Sequence, residues 1–392
     1  MNTVKAKIIG KGAVSGLGRG CESLWQGLVH GKSAISPVND IQISDQLPGL
    51  GARIAPDVMA QSPAGCFRGH SSDAFFRMCG IVLEEMIPGH ERQLETLRQQ
   101  GLSVFLSTLK GNAVRFEAMV RALKAGSADF QEFLINEPAG VIASVLKARG
   151  TTRTCSNACA SGTTAVALAA DDIRSGRSRA SVVLGGDLFT YFIHTGFACL
   201  KALSHTPCRP FDKDRDGLTL GEAFAGLCLE KADGREGIQI LGSGISNDAN
   251  HITGPSKTGE GLSRAIEVCL QDAGVRPDQV GAIVAHGTAT MYNDAMEVKA
   301  YRSVFRDRIP PVCGVKGAIG HTLGAAGIIE TIVAVKIIEE GLVPATIGHG
   351  TSNHADVSFE SRDLRSPVVL NCNSGFGGVN VAVLIGRPDE QS

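Results

Sequence analysis

Four short segments carry residue types that could do chemistry. Cys159 stands in Ser156-Asn157-Ala158-Cys159-Ala160-Ser161-Gly162, directly before a helix-forming run over 163–173. A cysteine at a helix start meets unpaired backbone N–H groups and the positive end of the helix dipole, and both favour the thiolate. An ordinary thiol, with a pKa of ~8.5, needs such a depression to be a strong nucleophile at neutral pH. His286 ends the apolar run Ile283-Val284-Ala285 and is followed by Gly287-Thr288-Ala289-Thr290. The imidazole therefore emerges where a strand breaks, with two threonines placed to face a polar ligand. Lys316 and His321 lie five apart in Lys316-Gly317-Ala318-Ile319-Gly320-His321-Thr322-Leu323-Gly324, and Glu330 follows on the next helical pattern. A lysine and a histidine in so apolar a setting each need a partner. Asn373-Ser374-Gly375-Phe376-Gly377-Gly378 sets one large apolar residue between glycines, where two strand-like runs meet.

A cysteine at a helix start, two histidines on strand ends or loops, and a glycine-flanked backbone donor are the parts of acyl transfer through a thiolate. Each segment also has a plainer reading: a buried structural thiol, a satisfied core histidine, a tightly packed helix start, a strand-connecting turn. Two glycine motifs fall away. Gly27–Ser33 has three residues between its glycines where a phosphate loop needs four, and it follows a helical pattern. Gly10–Ser15 lacks the third glycine of a dinucleotide fingerprint and reads as a strand-exit turn. Cys155 and Cys159 have no second Cys/His pair nearby in sequence, so no metal site is expected.

The rest of the chain must position these groups. Its 392 residues are 43% hydrophobic and 20% charged, with a net charge of −1. That supports one large core or two medium ones and argues against a nucleic-acid-coating surface. The longest apolar runs, such as 165–170 and 182–184, are far too short to span a membrane. The N-terminus lacks a secretory apolar core, and an odd count of 11 cysteines without paired spacings suits a reducing cytoplasm. Buried-strand patterns at 4–9, 102–106, 181–184, 227–230, 281–285, 368–371 and 379–385 alternate with helical patterns at 20–29, 74–86, 162–173, 261–273, 293–304 and 325–339. The alternation predicts a layered α/β protein. It divides into a half over 1–240 carrying the cysteine and a half over 241–392 carrying both histidines.

The blocks 12–35, SNACASG (156–162), RPFDKDRDGLTLGEAFAG (209–226), HGTAT (286–290), KGAIGHTLGAAG (316–327) and GFGG (375–378) stand in one order over nearly the whole chain. The set resembles the β-ketoacyl-acyl carrier protein synthases. That resemblance implies the thiolase fold, with duplicated halves layered α-β-α-β-α. It implies 3-oxoacyl-[acyl-carrier-protein] synthase activity: a decarboxylative Claisen condensation of a Cys159-bound acyl group with malonyl-carrier protein. A related acyltransferase, forming an ester or amide without decarboxylation, is the alternative. By position, His286 and His321 would promote decarboxylation, and Lys316 and Glu330 would orient the site around His321. The backbone N–H groups of Cys159 and Phe376 would form an oxyanion hole, with Gly375 and Gly377 freeing the Phe376 gate. Thr288 and Thr290 would bind the pantetheine arm. No cofactor is implied beyond the 4′-phosphopantetheine of the acyl carrier protein. The second partner would be another copy of the chain or a chain-length-factor paralogue lacking the cysteine, and Arg121 and Lys124 are candidates for the carrier's landing patch. Cys372 stands where a thiolase would carry a second catalytic cysteine, but GFGG follows it in place of the thiolase motif. Ala289 replaces a glycine usual in the family, placing a methyl beside the pantetheine groove. Ser374 stands near a position that often holds phenylalanine. The stretch Asn293-Asp294-Ala295-Met296-Glu297 is similar to ketosynthases of aryl polyene clusters.

Overall fold

The computed structural model describes residues 4–388 apart from 40, 42, 44–46, 64–66, 68, 70–71, 88–90, 125–133, 349, 351–356 and 358. Its β-branched and small-residue runs pair into one long mixed sheet. The first half supplies Ala6–Ser15, Ser103–Ser107, Thr152–Cys155, Ala180–Asp187 and Ala223–Lys231. The second supplies Gln239–Asn247, Ala282–Val284, Val312–Cys313, Val368–Gly375 and Val379–Gly386. Counted from one to five within each half, the strands lie in the order 3-2-4-5-1 and then, in mirror sequence, 1-5-4-2-3. Pairing sense repeats as well. In both halves strand 5 is antiparallel to 1 and 4, while 4, 2 and 3 run parallel. The halves join where Ala6 pairs antiparallel with Ile240. The repeat divides the chain between Lys231 and Gln239, just before the boundary suggested at 240.

Side chains alternate across the strands with period two, and each face has its own cover. Val182 and Leu184 point outward to helices Ala74–Met86 and Glu137–Leu146, while Val183 points inward. In the second half Ile283 and Leu370 point outward to Glu260–Ala273 and Met291–Phe305, while Val284 and Val369 point inward. Between the inner faces lie helices Ser161–Arg174 and Ala326–Glu340, the latter buried from Ala326 to Ile338. The result is five layers, α-β-α-β-α, spanning the whole molecule, with one central helix from each half. The two central helices begin almost in contact. A Cβ on Gly327 would stand 2.1 Å from Thr163 Oγ1, and one on Gly162 would stand 2.9 Å from the Gly327 nitrogen.

Two local expectations change. Residues 10–15 are the second part of the first strand, and the turn comes after them at 16–17. Gly10 and Gly12 are there because helix Ala74–Met86 lies directly on the strand, its Met86 and Val82 carbonyls 1.9 and 2.3 Å from where a Cβ would sit. Strands Thr152–Cys155, Gln239–Asn247 and Val312–Cys313 lie outside the expected set: the first and last are short, and the glycines of Gln239–Asn247 hide its pattern. Among the described residues, no helix is long and apolar enough to cross a membrane, and the ten described cysteines are free.

Candidate active site

The turn Ala158–Ala160 delivers Cys159 to the start of helix Ser161–Arg174. Ser161 Oγ closes that turn, accepting from the Asn157 amide at 2.8 Å and donating to the Ala158 carbonyl. Ala158 takes a left-handed φ of 47° to present the next residue. Cys159 is 5% exposed. Burial pushes its thiol up to about 12, opposed by the Lys316 charge and its own backbone N–H. The depression expected from the helix end is therefore outweighed by enclosure, and the resting group is a thiol.

His286 follows strand Ala282–Val284, and its main chain is held by an acid. The Glu297 carboxylate accepts from the His286 and Gly287 amides at 2.8 and 2.7 Å, and from Asn293 Nδ2 and Tyr301 Oη. On the ring, Nδ1 faces two donors, Asn373 Nδ2 at 2.8 Å and Lys316 Nζ at 3.3 Å. The Asn373 amide is oriented by its other contacts, since its Nδ2 lies 2.6 Å from Glu330 Oε2 and its Oδ1 accepts from Thr163. An amide oxygen could not sit so close to a carboxylate. Nδ1 of His286 is therefore the acceptor and Nε2 carries the hydrogen.

Lys316 also donates to the His286 carbonyl and to Glu330. This corrects the expected arrangement: the Lys316–Glu330 pair is built around His286, not His321. Lys316 starts just beyond Val312–Cys313, which lies parallel beside Ala282–Val284, so the lysine emerges beneath the His286 main chain. Burial raises the Glu330 carboxyl, and the touching ammonium opposes that.

His321 is turned back by Gly320 (φ 67°) and pinned to the first half. Its amide donates to the Thr219 carbonyl at 2.7 Å, and its carbonyl accepts from Gly221 at 3.0 Å. Its Nδ1 accepts from the Leu323 amide at 3.3 Å, so Nε2 again bears the hydrogen, and that atom is buried with no partner among the described residues. Asp187 fixes the same loop by accepting from the Gly324 amide at 2.8 Å. Burial holds both imidazoles neutral, well below their usual pKa, reinforced by Lys316. The rings meet edge to face at 5.3 Å. Cys159 Sγ and one ring nitrogen from each histidine all lie within 4.8 Å of one another. These three groups come from segments singled out in the sequence, and the fold brings them together.

A cavity of about 610 Å³ opens onto these three residues. Thr288 and Thr290 line it, with their hydroxyls 2.9 Å apart. Phe376 lines it too and packs on Phe197 at 6.0 Å. Gly375 brings this loop against the nucleophile turn, where a Cβ would stand 2.9 Å from the Asn157 oxygen, and Gly377 (φ 86°) turns the loop back with its amide on the Ile252 carbonyl. The side chains of Arg121 and Lys124 lie outside the described residues.

Comparison with known proteins agrees with this geometry. The β-ketoacyl synthase N-terminal domain model matches residues 5–234, and the C-terminal domain model matches 238–349. The chain belongs to the β-ketoacyl synthase family. It is 30% identical to a 3-oxoacyl-[acyl-carrier-protein] synthase 2 of Synechocystis sp., covering 97% of this chain and 98% of that protein. It is 32% identical to nodulation protein E of Rhizobium sp. (strain N33), covering 87% and 88%. A solved structure of the ishigamide ketosynthase/chain length factor superposes with a TM-score of 0.86 at 26% identity, covering 99% of this chain and all of that one.

Within this β-ketoacyl synthase, Glu297, Asn373, Asp187 and the 219–221 segment position the histidines, although sequence reasoning gave none of them a role. Their signal was burial of polar groups, which only the fold reveals. The Ala289 methyl does not reach the groove. The residue is fully buried, outside the cavity lining, with a left-handed φ of 65°. Asp294 and Glu297 are likewise scaffold. Asp294 is buried, accepting from the Phe211 and Ala289 amides. Ser374 does line the cavity, its hydroxyl donating to Asn380.

Proposed function

We propose that this β-ketoacyl synthase is a 3-oxoacyl-[acyl-carrier-protein] synthase that extends an acyl chain by decarboxylative condensation at Cys159. The observation that carries the reading is the pairing of a buried thiol with two histidines whose hydrogen bonds leave an Nε2–H on each, at the end of one cavity. In the first half-reaction, Cys159 Sγ bonds to the acyl carbon of a carrier thioester. The carbon–sulfur bond to the carrier breaks, and the thiol proton leaves with the carrier thiol. In the second half-reaction, the carboxyl carbon–carbon bond of a malonyl thioester breaks and carbon dioxide departs. Its electron pair forms an enolate whose oxygen takes the two Nε2–H bonds. The enolate carbon then bonds to the acyl carbon, the bond to Sγ breaks, and the thiolate takes up a proton.

The backbone N–H groups of Cys159 and Phe376 serve as the oxyanion donors, each typically worth ~3 kcal/mol. Thr288 and Thr290 hydrogen-bond the pantetheine arm, and Lys316 and Glu330 position His286. The carrier's 4′-phosphopantetheine is the only prosthetic group this chemistry uses. An acyl carrier protein is the substrate partner, in keeping with the name of the Synechocystis relative. A second thiolase-fold subunit, either another copy or a chain-length-factor paralogue, completes the assembly, in keeping with the ketosynthase/chain length factor pairing of the ishigamide structure. A reducing cytoplasm suits its free thiols.

The test is intact-mass analysis with acyl-carrier protein. Wild type should gain one acyl group, mapped to Cys159, and Cys159→Ala should gain none. A stable adduct elsewhere, or on both proteins, would remove Cys159 from the mechanism.

A further inference from the structure

Cys159, His286 and His321 offer a sulfur and two imidazole nitrogens within 4.8 Å of one another, all buried. Those are the ligand types and the count of an open zinc site, with a fourth position left for solvent. A histidine that binds a metal through one nitrogen ordinarily donates its other ring N–H to a carboxylate, a carbonyl or water. Here both rings do the opposite. Nδ1 of His286 faces the Asn373 Nδ2 donor, and Nδ1 of His321 faces the Leu323 amide. With both Nδ1 atoms accepting, neither Nε2 has a lone pair to give a metal. The Lys316 ammonium at 3.3 Å from the His286 ring adds like-charge repulsion toward a dication.

We propose that Asn373 is a positioning residue that fixes His286 as its Nε2–H tautomer. Together with the Leu323 amide on His321, it withholds the imidazole lone pairs from thiophilic divalent cations that this Cys-His-His set would otherwise bind. The geometry turns on hydrogen count. Asn373 Nδ2 has two hydrogens, one for His286 Nδ1 and one for Glu330 Oε2 at 2.6 Å. An aspartic acid of the same shape has at most one. The charged Glu330 is the stronger acceptor and takes it, which leaves a bare oxygen against Nδ1. That oxygen stands closer to the ring than Lys316 Nζ does, so it draws the imidazole hydrogen to Nδ1 and frees the Nε2 lone pair. The proposed reaction gives this device its purpose, but its readouts do not depend on turnover.

Two measurements test it. In wild type, nitrogen-15 NMR of labelled histidines should show protonated Nε2 and bare Nδ1 at His286 and His321, each assigned by His→Gln variants. One equivalent of Co²⁺ should give no thiolate-to-cobalt charge-transfer band. In Asn373→Asp the His286 tautomer should reverse, that band should appear, and Zn²⁺ affinity should rise at least ~10-fold. Acylation of Cys159 should survive in this variant, while decarboxylation falls. A wild type that shows Nδ1–H at His286, or binds Co²⁺ through its thiolate, overturns the proposal even if the variant does not fold. So does a folded Asn373→Asp with its tautomer unchanged.

Discussion

Glu297 accepts four hydrogen bonds, two of them from the main chain that carries His286, and it does not line the cavity. Burial and the adjacent Asp294 raise its carboxyl from 4.5 to about 7. A group that holds its proton more tightly when folded contributes stability that is full below the unfolded pKa and is lost as pH rises through the folded one. For Glu297 that window runs from about 4.5 to about 7, and for Asp187, raised to about 6, it has the same sign. The buried histidines act oppositely: their contribution is present above pH 6.5 and is lost as pH falls. In urea unfolding, the stability of wild type relative to Glu297→Gln should therefore fall by about 2 kcal/mol between pH 5 and pH 8. A constant difference would mean that the carboxyl is already ionised at pH 5. Residue types made Cys159, His286 and His321 candidates, and the order of the motifs gave them their roles. They could not pair Lys316 with His286, because that contact depends on the register of two parallel strands far apart in the chain.

At the scale of elements, the site is made by two helices that start side by side. The sequence patterns located both central helices to within a residue or two, since each is a long run of small or apolar residues. They did not reveal strand Gln239–Asn247. Helix Glu260–Ala273 lies so close on that strand that Cβ atoms at Gly242 and Gly244 would stand 2.6 and 2.0 Å from its carbonyl oxygens. The glycines that permit this packing also erase the β-branched alternation that marks a strand. The same close approach makes Gly327 a sensitive point. Gly327→Ala must push the Ala326–Glu340 helix away from Thr163, separating the Cys159 turn from the His321 loop. A loss of roughly 2–3 kcal/mol in unfolding free energy is expected, with condensation falling far more than stability alone would explain. Full activity in Gly327→Ala would show that the helix starts tolerate separation.

The whole molecule shows two halves with one strand order and pairing sense, and the functional groups divide between them. The first half gives the nucleophile, and the second gives both histidines, Lys316, Glu330 and the Phe376 loop. Motif order made the layered fold legible, but the mirror relation of the halves is a property of strand pairing that no periodicity encodes. The two ends of the sheet differ. Val312–Cys313 is buried, whereas Thr152 and Arg153 of Thr152–Cys155 are exposed beside an edge that has no partner strand among the described residues. An open edge is a ready surface for a further strand. Sedimentation of the purified chain should give twice the chain mass if the partner is a second copy. A monomer that becomes a one-to-one complex only with a cysteine-less paralogue would assign the heterodimer. A monomer fully active alone would contradict the two-subunit reading.

The central claim is that carbon–carbon bond formation at Cys159 is driven by decarboxylation between the two histidines. The direct measurement supplies pre-acylated enzyme with malonyl-carrier protein labelled in its free carboxyl group. Labelled carbon dioxide and carrier-bound 3-oxoacyl product are then counted against acyl-enzyme consumed. The account predicts one of each per acyl group in wild type, with His286→Ala and His321→Ala keeping the acyl group but releasing little carbon dioxide. Acyl-enzyme that discharges to an alcohol or amine acceptor without carbon dioxide release would contradict it.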